Sequence, residues 1–437
     1  MWARVKRRLL PLLASILLIV IGMYTTTWGP TVIHRPEWAL PYDLWGTLIA
    51  TTRLAHLNLG GLYTAPTGLV SLPGAAVILV PCAAIISATG LSLQIPGPDN
   101  LHPAVWLLAG PYEIALCCVT LFAADALAEQ LGVSRWKRAL LAAASAGVLW
   151  SVSARWGHPE DAVAVGLLLY AILAQSRSRI TLAGWLTGAA VCVQPLVLLA
   201  LPVLLALLPW RRMPMFLVRA ALPSVVLLGA AALANWHATY ISVTSQPDSP
   251  IINHPTAWTS LAPHMYGGNV AAGPARLATV VLACCCALAV RRRWLGQPTG
   301  TDHIAPGSGG AAVPAAGPPP WWPAPLLMDV LWWTALTLAL RSFFEPVMVS
   351  YYPWPPIAVA LIPAAALGWT RLIAASVVAG GLTAAAQGPS HDVWIWWVPL
   401  VAGLAVMLAL ARAWPRAAPA PPPLTPAPSA LPEGRPT

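Results

Sequence analysis

Charged residues are scarce in this chain. Only 9% of its 437 residues are Asp, Glu, Lys or Arg, whereas 58% are hydrophobic. About a quarter of an ordinary soluble domain is charged, so this composition excludes that class of protein. The apolar runs are continuous and lack the alternation of membrane β-strands. The sequence therefore predicts an all-α polytopic membrane protein, with about 11 to 13 transmembrane helices.

The seven cysteines follow neither a disulfide nor a metal-binding pattern. All of them lie inside apolar runs, where cysteine behaves as a small hydrophobic residue. The chain also lacks the glycine-rich loops that cradle nucleotide phosphates and the GxSxG and HExxH patterns of hydrolases. We therefore expect no metal, no cofactor and no nucleotide-driven mechanism.

The basic residues form short clusters between the apolar runs. Arginine outnumbers lysine by 22 to 2, which together with abundant Ala, Pro and Gly is typical of a GC-rich bacterial gene. Such spacing indicates topology and not nucleic-acid binding. The first cluster, residues 4–8, precedes an apolar run without a signal-peptidase site, so we expect a retained first helix with a cytoplasmic N-terminus. The predicted location is the bacterial plasma membrane.

This topology divides the chain into four parts. A transmembrane module covers residues 1–294 and carries outer loops at 25–64, 155–161 and 237–276. The C-terminal transmembrane helices occupy residues 326–416. Between and after them lie a Gly/Pro/Ala-rich cytoplasmic linker at 295–325 and a Pro/Ala-rich tail at 417–437, which cannot bury a core.

Two apolar runs do not fit the pattern of a single transmembrane helix. Residues 182–208 are too long for one helix, so we predict a hairpin of two short helices broken at Gln194 and Pro195. Residues 69–93 have the length of a span, but the basic marker at Arg135 then puts the following loop on the wrong side. A re-entrant element and a local failure of the charge rule both stay open.

Ionisable groups concentrate at residues 155–161, between two apolar runs. This segment contains Arg155, His158, Glu160 and Asp161. Charges this close to lipid are costly and are rarely kept without a role. Because proline begins or breaks helices, we place the segment at a membrane surface, where one helix ends and the next begins. It is either a site for polar chemistry on a lipid-borne substrate or a polar loop that marks a helix end.

Asp43 is the notable acid of the first outer loop. The apolar residues over 44–59 have helical spacing, which predicts a helix lying flat at the membrane surface. Partial desolvation there would raise the pKa of Asp43 toward the range of a general base. The alternative, favoured by its position alone, is that Asp43 caps this helix at its N-terminus.

Two later outer segments offer further polar groups. The loop at 237–276 is long enough to be a lid or substrate-facing surface and contains His264, although a single histidine there is more typical of a solvated residue. Arg341 and Glu345 close a later span and are followed by Tyr352. An arginine at the outer lipid boundary suits a phosphate, and the aromatic residues suit a sugar face or the interfacial belt.

The order of these features resembles the GT-C superfamily of integral-membrane glycosyltransferases, in particular the bacterial polyprenol-phosphate-mannose-dependent mannosyltransferases. The resemblance covers residues 1–208 and continues loosely through 341–356. At Gln194 the family often has lysine. The segments that carry the resemblance are Asp43 with Gly60-Gly61-Leu62-Tyr63, the run Trp156-Gly157-His158-Pro159-Glu160-Asp161, and the hairpin with Gly188, Gln194-Pro195-Leu196 and Pro202.

The resemblance implies transfer of a hexose, mannose in the nearest group, from a polyprenyl-phosphate donor to an extracytoplasmic lipid or glycan acceptor, with inversion. Asp43 matches the general base, Glu160 and Asp161 match acids that position the substrates, and Arg341 lies where the donor phosphate binds. The expected partners are donor, acceptor and membrane lipids, with no nucleic acid. The remaining expected substrate-binding residues are Arg155, His158, Glu345, Tyr352 and His264.

A multi-span transporter or lipid flippase is the main alternative, followed by a non-catalytic envelope scaffold. Transporters tend to place ionisable groups near the bilayer midplane, and only Glu113 and Asp329 are candidates for that position. Most other acids fall in loops or at helix ends, which favours an enzyme acting at the surface.

Overall fold

The computed structural model describes residues 8–27, 41–64, 69, 71–91, 93, 104–244, 248–271, 273–295 and 322–413. Most of the predicted linker and the whole predicted tail at 417–437 lie outside these residues. The helices are α1 Leu9–Thr27, α2 Tyr42–Ala55, α3 Gly74–Val77, α4 Val80–Thr89, α5 Trp106–Cys117, α6 Val119–Gln130, α7 Arg135–Trp150, α8 Pro159–Ser176, α9 Ile180–Val193, α10 Leu201–Ala206, α11 Met213–Ala234, α12 Trp236–Thr244, α13 Gly273–Leu295, α14 Ala324–Phe344, α15 Trp354–Leu367, α16 Trp369–Ala386 and α17 Trp397–Ala411.

The all-α polytopic membrane fold is confirmed. Among the described residues, six helical segments are long and apolar enough to cross a membrane, and shorter apolar helices accompany them. The only strands in the described ranges are β1 His254–Pro255 and β2 Val347–Met348, which pair antiparallel. The six long segments are Leu9–Thr27, Trp106–Gln130, Trp210–Ala234, Gly273–Trp294, Ala324–Phe344 and Trp369–Ala386.

One end of the bundle, here called the basic end, collects the arginine clusters. Asp125 of α6 lies between Arg8 and Arg138, and two nitrogens of Arg138 each lie 2.7 Å from its carboxylate oxygens. Bidentate pairing of this kind compensates the burial of the acid. The other basic residues joined to this end by contacts are Arg177, Arg291, Arg293, Arg371 and Arg412.

The opposite end, here called the histidine end, contains His158. Thr25, at the other end of α1 from Arg8, accepts a hydrogen bond of 2.9 Å from the indole of Trp150. Thr26 accepts one of 2.9 Å from Trp106. Along α1, Arg8 and Thr25 are about 26 Å apart, so the basic end and the histidine end lie on opposite sides of the bundle. The arginine clusters lie together at the basic end, as the predicted topology requires.

The predicted hairpin at residues 182–208 is confirmed. Helix α9 ends at Val193, and Gln194 is extended and donates to Asp161 at the start of α8. Further along, the Leu204 carbonyl accepts a hydrogen bond of 2.9 Å from Gln175, near the other end of α8. Because Asp161 and Gln175 are about four helical turns apart, the chain reverses direction between Gln194 and Leu204.

The described residues of the range 69–93 do not form a spanning helix. They contain α3 and α4, and α4 has 10 residues before Gly90 ends it in the left-handed conformation. Ten residues rise only about 15 Å, half of the hydrocarbon thickness. A side chain at Gly74 would meet the Cys192 carbonyl at 2.4 Å, so α3 packs on the histidine end of α9. This arrangement agrees with the re-entrant alternative.

The orientation of the two ends is tested by cysteine labelling. We expect single cysteines at Ser249 and Ser390, both beside the histidine end, to react with an impermeant thiol reagent in intact cells. A cysteine at Ser308, in the predicted cytoplasmic linker, should react only after the membrane is permeabilised. A background in which the natural cysteines are replaced by alanine or serine is the control. Labelling of Ser308 from outside would reverse the predicted orientation.

Candidate functional site

A tight turn at the end of α7 builds the centre of the histidine end. A π-helical turn, Ser151–Arg155, closes α7, and the amide of His158 then donates back to the Val152 carbonyl at 2.9 Å. Gly157 has a φ of +67°, and a side chain there would meet Pro41 at 2.5 Å. Only glycine allows both this conformation and the close approach of α2. The structure thus brings Asp43 of α2 beside His158.

His158 bridges two carboxylates. Its Nε2 lies 2.9 Å from Asp43 Oδ2, and its Nδ1 lies 2.6 Å from Glu160 Oε1. We call Asp43, His158 and Glu160 the relay. The side chain of Asp43 is 47% exposed, that of His158 is 12% exposed and that of Glu160 is 7% exposed. The relay therefore runs from a solvent-facing acid to a buried one.

Within the relay, the pKa of Asp43 shifts in the direction opposite to the one predicted from burial. Burial would raise the pKa of Asp43, but the hydrogen bond and charge of His158 outweigh it, and the pKa is lowered. Burial would likewise lower the pKa of His158, but Glu160 and Asp43 hold it well above its usual value. The prediction of a raised pKa for Asp43 is therefore wrong. At neutral pH the relay therefore contains an imidazolium beside the ionised carboxylate of Asp43.

The capping interpretation of Asp43 is also wrong. Pro41 occupies the N-cap position of α2, with no side-chain cap, and Asp43 lies in the first turn with its carboxylate on His158. A helix is present where the surface helix was predicted, although it ends at Ala55 and not at residue 59. The position of Asp43 in the sequence favoured the cap, because helix capping depends on residues close in sequence. Its bond to His158 joins residues 115 positions apart.

Asp161 and Arg341 form the next part of the site. Gln194 donates a hydrogen bond of 2.8 Å to Asp161 Oδ1, so the break in the hairpin lies directly beside the start of α8. The charge of Arg341 also acts on Asp161. The guanidinium carbon of Arg341 lies 3.7 Å from the ring centroid of Tyr352, which is a cation–π contact.

Glu345 lies between two arginines. It pairs with Arg276 of α13, and its second oxygen lies 4.0 Å from Nε of Arg341. Its side chain is 3% exposed, whereas that of Arg276 is 42% exposed. Thr256, next to strand β1, donates to the Glu345 carbonyl at 2.8 Å. The outer loop and the end of α14 are therefore fixed to each other around this acid.

Tyr351 connects the relay to the arginines. Its ring centroid lies 4.0 Å from that of His158, and 5.4 Å from that of Tyr352. Contacts thus run without interruption from Asp43 through the two tyrosines to Arg341. The sequence analysis selected Tyr352 but not Tyr351, because adjacent tyrosines cannot be told apart without knowing which ring faces the histidine.

A second group of rings fixes the outer loop to the end of α16. His254 stacks on Trp396 with centroids 3.7 Å apart and on His391 at 5.0 Å, and one ring nitrogen contacts the Gly388 carbonyl. Burial and the nearby His391 lower the pKa of His254, and the contact with Gly388 only partly opposes this. These residues were not predicted, since isolated histidines in loops carry little signal.

The expected residues do not all join this network. Arg155 lies over the Trp156 ring at 4.7 Å, and its charge acts on Asp43. His264 is exposed and pairs with Val270 through the backbone, and no contact between its side chain and the relay is found in the described part of the chain. Within the same residues, no group of three or more His, Cys, Asp or Glu could hold a metal ion.

The comparisons with known proteins do not identify the site. Neither a scan against protein-family models nor a search of curated proteins finds a match to this chain. Its chemistry must be inferred from the residues themselves: an ionised acid open to solvent, a histidine cation behind it, and two arginines that share one buried acid.

The relay predicts a pH-dependent stability. A group whose pKa is raised on folding stabilises the protein fully below its unfolded value, 6.5 for histidine, and this stabilisation is lost as pH rises through the folded pKa. We expect His158→Gln to lower the melting temperature in detergent most between pH 5 and 6.5, with a difference that shrinks as pH rises further. A difference independent of pH would contradict a cationic His158. His391→Gln, outside the relay, is the matched control.

Proposed function

We propose that the protein is an integral-membrane glycosyltransferase that moves a hexose, mannose by its resemblance, from a polyprenyl-phosphate donor to an extracytoplasmic lipid or glycan acceptor. The observation that carries this proposal is the uninterrupted set of contacts that joins the relay to Arg341 at one end of the bundle. The cell membrane of a bacterium, with the basic end in the cytoplasm, is the proposed location.

Asp43 is the proposed general base. It is the most exposed member of the relay, and its carboxylate is ionised, so it can take the proton of the acceptor hydroxyl. The hydroxyl oxygen then bonds to the anomeric carbon, while the bond from that carbon to the donor phosphate oxygen breaks. His158 and Glu160 are proposed positioning residues, since they orient Asp43 and stabilise its charge.

Arg341 and Arg276 are the proposed cations for the donor phosphate. The electron pair of the broken bond stays on that phosphate, so negative charge grows there during the reaction and nearby arginines stabilise it. Glu345 holds the two side chains together and is buried, so we assign it to positioning. Asp161, held by Gln194, and the ring of Tyr352 are proposed to contact the sugar.

Reconstitution tests the proposal. The purified protein in lipid nanodiscs is given polyprenyl-phosphate hexoses, each radiolabelled in the sugar, together with a lipid extract as acceptor. We expect label to enter a new product, with one polyprenyl phosphate released for each sugar transferred. The transferase would be rejected if no hexose donor released polyprenyl phosphate. The melting curves of the parent and of His158→Gln must show in the same preparation that the protein is folded.

The transporter alternative predicts movement of the lipid without this release. Of its two candidate residues, Asp329 lies at the basic end and is held by Trp294 at 2.7 Å and by Arg293 at 3.4 Å. An acid fixed in this way does not resemble a substrate site near the bilayer midplane. The other candidate, Glu113, lies within the membrane-crossing segment Trp106–Gln130.

A further inference from the structure

Glu113 is a buried acid outside the relay. It belongs to α5, within the membrane-crossing segment Trp106–Gln130, and its side chain has no exposed surface. One carboxyl oxygen accepts a weak hydrogen bond of 3.3 Å from the Cys117 thiol, and the other has no partner among the described residues. A thiol is a weak donor and brings no positive charge.

The other buried acids are compensated. Each accepts a hydrogen bond from a charged, amide or indole nitrogen, or lies between arginines, whereas Glu113 does not. An isolated buried carboxylate is strongly unfavourable, so the position of Glu113 favours the neutral form of its carboxyl group. The compensated acids and their partners are Asp125 with Arg8 and Arg138, Asp329 with Trp294 and Arg293, Asp161 with Gln194, Glu160 with His158, and Glu345 with Arg276.

Glu113 lies behind the relay. Its neighbour Ile114 and Ala154 of the π-helical turn both border Gly22 of α1, so α5 packs directly under that turn. The charges of Glu160 and His158 act on Glu113. Glu160 itself has a second buried carboxyl oxygen without a hydrogen-bond partner in the described chain. Two carboxyl groups, each with one buried oxygen that lacks a hydrogen-bond partner among the described residues, therefore lie in the same region of the bundle.

We propose that Glu113 is a proton-binding site inside the membrane, which stays protonated beside the pair that Glu160 forms with His158. Two neighbouring carboxylates of low solvent access cannot both be ionised, so one proton is retained between them. Occupancy of Glu113 thereby sets the net charge beneath the relay. This inference does not depend on the proposed transferase activity.

The elements packed on α5 carry several other titratable groups. The cation whose charge acts on Glu113 is His158, which already pairs with Asp43 and Glu160, and the guanidinium of Arg155 lies over the Trp156 ring. The titratable groups are Cys117 on α5 itself and Cys118 directly after it, Glu160 and His158 at the start of α8, Arg155 on the π-helical turn, Tyr24 on α1 and Cys82 on α4.

Infrared difference spectroscopy tests the proton site directly. We expect the spectrum of the parent minus Glu113→Gln, at neutral pH, to contain the carbonyl band of a protonated carboxyl group, shifted in heavy water. Asp392→Asn, which changes an exposed acid, is the control and should remove only carboxylate bands. If Glu113→Gln also removes only carboxylate bands, Glu113 is ionised and the proposal is wrong. The amide nearly preserves shape, and a melting curve confirms that each variant is folded.

A second measurement tests the link to the relay. Raising the pH should eventually remove the Glu113 carbonyl band, and Glu160→Gln should make it disappear at a lower pH, because a neighbouring negative charge is gone while His158 remains. An unchanged pH of disappearance would show that Glu113 binds its proton independently of the relay and would overturn that part of the proposal. Neither readout uses a sugar donor, so a failed transferase assay leaves both results interpretable.

Discussion

Asp43→Asn should lower the rate of sugar transfer about 10²- to 10⁴-fold, the usual effect of removing a general base. The amide keeps the shape of the side chain but cannot take a proton. Folding should persist, because Pro41 and not Asp43 occupies the N-cap of α2 and the side chain is 47% exposed. The measurement is the initial rate per mole of folded protein in nanodiscs, with saturating donor.

The control for this prediction is Asp392→Asn. Asp392 is also an exposed acid beside the histidine end, where it accepts from the Trp394 amide and takes no part in the relay. It should leave the rate unchanged. If Asp43→Asn transfers sugar at the parent rate while the control behaves as expected, the base is another residue and the relay has a structural role.

Arg341→Gln should weaken donor binding about 10- to 100-fold, which corresponds to the loss of about 1.5–3 kcal/mol from a hydrogen bond to a charged group. Arg341→Lys should fall between this variant and the parent, because lysine keeps the charge but loses the two-pronged geometry. Glu345→Gln should be milder than Arg341→Gln, since that acid orients the arginine. The measurement is equilibrium binding of a polyprenyl-phosphate hexose to the purified variants.

The alternative for Arg341 is an anchor that reaches the lipid surface. The side chain is only 21% exposed and lies against Tyr352 and Glu345, which agrees better with a fixed position than with a free anchor. Arg211→Gln, an exposed arginine next to α11 at the predicted cytoplasmic side, controls for loss of a surface charge. Equal donor affinity in all the Arg341 variants would leave the arginine as an anchor.

Some features of the site could be predicted because they are local. The scarcity of charge determines a membrane-embedded helical bundle, since the chain must satisfy its backbone within lipid. Proline at Pro159 and Pro195 sets where helices begin or break, whatever surrounds them. The spacing of the arginine clusters likewise predicted that they share one end, and the contacts of Arg8 and Arg138 with Asp125 bring the first two clusters together.

The contacts of the functional residues could not be predicted from local sequence. The pKa of Asp43 was predicted to rise from its desolvation, but His158 reverses the sign through a contact between distant parts of the chain. Tyr351 and His254 likewise gained their importance only from the rings that they face. Electrostatic interactions and ring packing depend on residues that are close in space but far apart in the sequence.

The sequence by itself therefore determined the all-α membrane class, the hairpin break at Gln194 and the residue types available at the histidine end. Only the tertiary structure decided that the described part of residues 69–93 forms two short helices and not a span, and that Asp43 pairs with His158 instead of capping its helix. It also decided that the carboxyl group of Glu113 is buried against a thiol, with its second oxygen lacking a hydrogen-bond partner among the described residues. The physical reason is that hydropathy and proline geometry act within a few residues, whereas the charge state of a buried acid depends on which helices pack around it.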